Sequence, residues 1–140
     1  MSTSGTKGKL SAQKKLILID LIAALFCALF GAVYEVFGHG VYSYGMIYAF
    51  VFPLTFGVLP LYLIESLRAP YPGKALRWLW HAGIATLTVG SIVSGVLEIY
   101  GTTNPLTIVY WILGTALIAL GAVGYAVSCH RAKARDAYPA

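Results

Sequence analysis

Leu16-Ile17-Leu18-Ile19-Asp20-Leu21-Ile22-Ala23-Ala24-Leu25-Phe26-Cys27-Ala28-Leu29-Phe30-Gly31-Ala32-Val33-Tyr34-Glu35-Val36-Phe37 is an apolar run carrying two acidic side chains and no basic one. A helix rising 1.5 Å per residue over such a run crosses a hydrocarbon core of about 30 Å. Three more apolar stretches follow, at about 45–65, 78–100 and 106–128. Lipid offers the backbone no hydrogen-bond partners, and four segments cannot close a barrel, so each stretch is expected to be a helix. The whole chain agrees: of 140 residues 59% are hydrophobic and 11% charged, against roughly 25% charged in a soluble domain. The expected fold is an all-α membrane protein, four transmembrane helices in an up-down-up-down bundle. It forms one domain over 14–132, between a disordered Ser-, Thr-, Gly- and Lys-rich terminus (1–13) and a tail (133–140).

The end of the first run is echoed later. Val33-Tyr34-Glu35-Val36-Phe37-Gly38 matches Val96-Leu97-Glu98-Ile99-Tyr100-Gly101 in register, with Val, Glu and Gly shared. Extended without gaps, the match pairs about 16–69 with about 79–132. Both halves start from the same side, so the expectation is two parallel helix-hairpin repeats about an axis along the membrane normal.

Charge gives the orientation. Lys7, Lys9, Lys14 and Lys15 precede the first run; Arg68, Lys74 and Arg77 lie between the second and third; Arg131, Lys133 and Arg135 follow the fourth. The loops 38–44 and 101–105 contain no Lys or Arg. The positive-inside rule then makes both termini cytoplasmic, in a plasma or inner membrane. The net charge of +5 is spent on topology and on anionic lipid, so nucleic acid is not an expected partner. The first run is too long for a signal-peptide core, and no small-residue cleavage site follows it. Cys27 and Cys129 lie at different depths, which argues against a disulfide.

Spacing picks out the inward faces. Asp20, Ala24, Ala28, Gly31, Glu35 and His39 recur three or four apart and share one stripe of a helix. Small residues on a stripe let neighbouring helices approach, so this stripe is expected to face inward. Thr88, Ser91, Gly95 and Glu98 form a similar seam, and Gly114, Gly121 and Gly124 mark the fourth run as a packing helix. Pro53 and Pro60 each remove a backbone donor, so bends are expected, with the carbonyls of Ala49 and Phe56 left without helical partners. Packing kinks are the simpler account of those prolines; a carbonyl-lined cation or water site is the alternative.

Two clusters are candidates for chemistry. Glu35 and Glu98 lie at helix C-termini, where the macrodipole disfavours an anion, so they call for a cation, a shared proton or a donor. His39, four residues after Glu35, completes a donor set that suits a divalent metal. Tyr34, Tyr42, Tyr48, Tyr100, Ser91 and Ser94 are candidate linings of a pocket at that level, although an aromatic belt is the default for such tyrosines. The second cluster is Asp20 with His81, each about four residues into its span. The plainer readings are an Asp20 that favours its helix N-terminus and an interfacial His81. Haem is not expected, because no second histidine lies within a span.

The leading functional expectation is an outward-facing acidic site that binds, and in one version transports, a cation, metal or small amine. The alternative is a structural or accessory subunit of a membrane complex. The third is a haem- or quinone-binding oxidoreductase subunit. Catalysis is not the expected role: no nucleophilic triad, phosphate loop or dinucleotide fingerprint is present. Four helices enclose little volume, so a homo-oligomer or a partner membrane subunit is expected, with the bilayer as the first partner.

Overall fold

The computed structural model describes residues 4–137 apart from His39. The described chain is all-α. Helix α1 runs Ser4–Phe37, α2 Tyr44–Ile47, α3 Leu59–Ser66, α4 Lys74–Ile99 and α5 Thr107–Ala137, with a π-helical segment, Pro53–Val58, entering α3. Three stretches are long and apolar enough to cross a membrane: Ala12–Phe37, Lys74–Ile99 and Thr107–Ala134. Their exposed Leu, Ile and Phe side chains, among them Leu25, Phe26, Ile112 and Leu120, point to an integral membrane protein in contact with lipid.

The second apolar stretch departs from the expectation of four spanning helices. It is a chain of short pieces, of which the longest apolar helix is Pro53–Ser66. The cause is local. Pro53 and Pro60 have no N–H to donate, so the regular ladder fails at both. The chain widens instead, and the Leu59 N–H reaches back to the Leu54 carbonyl, a five-residue step. The carbonyl of Phe56, deprived of Pro60, accepts from the Trp80 indole N–H at 2.6 Å. The two hairpins therefore differ in build: a broken return beside α1, a continuous one beside α4.

Contacts run antiparallel along the row. From one end to the other, α1 meets the second stretch through Gln13 and Leu61, Asp20 and Gly57, and Gly31 and Met46. The far side of that stretch meets α4 through Ser43 and Gly95 and through Phe56 and Trp80. Beyond it, α4 meets α5 at Gly83 with Gly114 and at Trp80 with Gly121. Among the described residues, no Cα of α1 comes within 8 Å of α4 or α5. The helices make an open row, not a closed four-helix bundle. The inward stripe of α1 lies where its spacing put it: Asp20, Ala24 and Gly31 are buried, joined by Gln13 and Cys27, with Ala28 and Glu35 half-buried.

Candidate functional site

At the end bearing Glu35 and Glu98, α2 is wedged between α1 and α4. A Cβ on Gly31 would lie 2.9 Å from the Met46 carbonyl oxygen, and one on Gly95 2.7 Å from the Met46 nitrogen. Only glycine on both sides lets three backbones meet so closely. Ser91 donates to the Gly45 carbonyl at 2.6 Å, and Met46 is buried between the glycines. Ser43, fully buried, starts α2: its hydroxyl accepts from the Met46 N–H at 3.3 Å and donates to the Glu98 carboxylate. Glu98 is thus tied to the residue that caps α2.

The sequence-predicted residues divide here. Glu98 has Ser43 as its donor and is otherwise exposed; Glu35 is half-buried, with Oε1 buried and lacking a hydrogen-bond partner among the described residues. His39 lies outside the described residues. Among those described, no three His, Cys, Asp or Glu side chains converge on a point that could hold a metal ion. Tyr42, Tyr48 and Tyr100 are exposed, as an aromatic belt requires, while Tyr34 packs its ring against Phe30. Ser91 is engaged by Gly45 and Ser94 is half-buried. The role of Ser43 was not read from the sequence; a serine one residue ahead of Tyr44-Gly45-Met46 was the available signal.

The opposite, basic end is built differently. Asp20 comes from α1 and His81 from α4, and the structure brings them together: His81 Nδ1 lies 3.5 Å from Asp20 Oδ1. Each is a turn or more inside its helix, about 7.5 Å beyond Lys15 and about 6 Å beyond Arg77 along the axis. Asp20 is 6% exposed. Its Oδ2 is buried, lies against Gly57 and has no hydrogen-bond partner among the described residues. A Cβ on Gly57 would come within 2.7 Å of that carboxylate. The π-helical segment therefore sets a glycine where the acid needs room.

Asp20 and His81 stand in the wall of a groove of about 740 Å³ between α1 and α4. Lys15, Lys74 and Arg77 line its basic end, and Ile19, Phe26, Ile84 and Ile92 make the rest mainly apolar. Arg77 Nη1 donates to the Tyr71 hydroxyl at 2.9 Å and the guanidinium lies 4.8 Å over that ring. Its Nε is buried and has no hydrogen-bond partner among the described residues. Gln13 donates to the Leu61 carbonyl at 2.8 Å and ties α1 to α3 beside this site. Compared with known proteins, the chain matches no family model, no curated protein and no solved structure.

Proposed function

We propose that the chain is a small membrane-resident binding protein that takes a lipid-soluble ligand sideways from the bilayer, into the groove between α1 and α4. The carrying observation is the Asp20–His81 pair, a buried carboxylate with an unpartnered oxygen in the wall of a roomy apolar groove. Ionisable groups at such depth persist where they serve a task, because leaving them unpaired is costly. A π-helical segment beside them supports the reading, since these turns are frequent at functional sites. Asp20 and His81 offer the ligand's polar head an acceptor and a donor, while the groove takes its apolar body.

The test is native mass spectrometry of the full chain after extraction in a mild detergent. The expected spectrum carries an adduct of amphiphile mass that survives washing. Ala85, exposed in the groove wall, can take bulk without moving a core. Ala85→Trp is expected to remove the adduct, with helicity kept by circular dichroism. Bare wild-type protein, or an adduct indifferent to Ala85→Trp, sinks the reading.

The outer carboxylates keep a narrower reading, favoured by the buried Oε1 of Glu35, which has no partner among the described residues. A cation or amine near Glu35, with His39 four residues on, would relieve that oxygen. Thermal stabilisation by a divalent metal, lost in Glu35→Gln, is the result expected of it; no metal-dependent shift removes it.

A further inference from the structure

The geometry points to one class of ligand for this groove: an anionic phospholipid from the leaflet at the basic end, its phosphate among Lys15, Lys74 and Arg77 and one acyl chain lying between α1 and α4. This rests on the groove reading above and narrows it.

The lining residues give the groove a length. On α4 they run from Lys74 to Ile92, and on α1 from Ala12 to Cys27. At 1.5 Å per residue these stretches are about 27 Å and about 22 Å long. One leaflet offers about 15 Å of hydrocarbon plus its headgroup layer. The groove is therefore one lipid long. It stops short of the far face, because the α2 wedge at Gly31 and Gly95 closes the remainder.

The chemistry along that length follows a lipid from head to tail. Lys15, Lys74 and Arg77 come first, three cations at headgroup depth, and basic pockets between spans are suited to anionic heads. Arg77 brings a buried Nε that lacks a hydrogen-bond partner among the described residues, a donor for a phosphate oxygen. His81 lies one turn deeper, at the level of the glycerol esters; as the imidazolium it turns its Nδ1–H to Asp20 Oδ1, 3.5 Å away, and keeps its Nε2–H for an ester carbonyl. Ile84, Val89 and Ile92 continue at chain depth. A ligand with a positive head suits this order poorly, since three cations stand at the basic mouth.

The charged residues also make the proposal easy to test without disturbing the fold. Lys15 and Lys74 are exposed, so Lys15→Gln/Lys74→Gln removes charge and leaves the packing alone. The full chain is reconstituted in phosphatidylcholine vesicles with and without phosphatidylglycerol, extracted, and its retained lipid weighed by native mass spectrometry. Wild type is expected to retain phosphatidylglycerol in preference to phosphatidylcholine, one molecule per chain. At about 1 kcal/mol per cation near the surface, the double variant should lose roughly thirtyfold of that preference. Arg77→Gln should lower it further, and Ala85→Trp should abolish retention of both lipids. Glycerol phosphate, a head without chains, should not displace the lipid.

Equal retention of the two lipids by wild type overturns the lipid assignment and leaves the groove reading standing. So does a preference unchanged in the Lys15→Gln/Lys74→Gln protein. A chain that carries no lipid and appears as a dimer, or with a partner helix, overturns both, because the groove is then an interface.

Discussion

The two ends of the molecule use the same helices in opposite ways. At the end bearing Glu98, glycines on α1 and α4 pinch α2 between them, and the buried hydroxyls of the wedge have partners: Ser91 with Gly45, Ser43 with Glu98 and Met46. At the basic end the same two helices part around a groove, and Asp20 keeps an oxygen without one. The wedge itself is packed and its buried hydroxyls are bonded, as in a structural joint, although Glu35 Oε1 nearby lacks a partner among the described residues. The open end is not packed in this way. The pair of acids placed alike in the sequence, Glu35 and Glu98, lies at the first end; the first acid along the chain, Asp20, lies at the second.

That contrast can be broken most forcefully at Gly95. Gly95→Leu drives a side chain into the Met46 backbone and is expected to cost about 3 kcal/mol or to prevent folding. The matched change in the open half, Ala85→Leu, should leave thermal unfolding in detergent unchanged. Equal effects at the two positions would dissolve the distinction. Ser43→Ala comes next. It removes a cap and the donor to Glu98, and about 2 kcal/mol of stability should go with it. Combining it with Glu98→Gln should cost less than the two single changes added, as expected for one shared contact.

Asp20→Asn sharpens the comparison from the other side. Neutralising a buried acid that is poorly paired should leave stability unchanged or raise it by about 1 kcal/mol. The retained amphiphile should nonetheless be lost or weakened. A fall of several kcal/mol would instead make Asp20 a structural residue. The smallest effects are expected of Tyr42→Phe and Tyr100→Phe, both on exposed rings, at about 0.5 kcal/mol or less in unfolding. A larger effect would restore a pocket at their level.

Much of this was legible in the sequence. The apolar runs announced membrane helices, and three- and four-residue spacing placed Asp20, Ala24 and Gly31 on the buried stripe of α1. Counting from the basic anchors put Asp20 and His81 at one depth, and they do meet. Other features depended on contacts that spacing does not encode. Pro53 and Pro60 foretold a disturbed helix, but not that the Phe56 carbonyl would find the indole of Trp80, 24 residues away. The loop 38–44 was read only for its lack of Lys and Arg, and the bond from Ser43 to Glu98, 55 residues away, is a contact that spacing does not encode. The groove was invisible for a simple reason: it is made by what α2 does at the far end, where it fills the space between α1 and α4 and leaves them bridged below by Asp20 and His81 without close backbone contact.

The wide turn at Pro53–Val58 has a consequence for the phase of everything after it. Each hydrogen bond of that turn spans one residue more than the α pattern, so the following helix is dialled round by about 100° relative to an unbroken one. Leu61 presents its carbonyl to Gln13 in that setting. Deleting one residue between Leu54 and Val58 would restore the ordinary winding and turn α3 away from α1, uncoupling the amino-terminal helix from the rest of the row while leaving the α4–α5 hairpin as it stands.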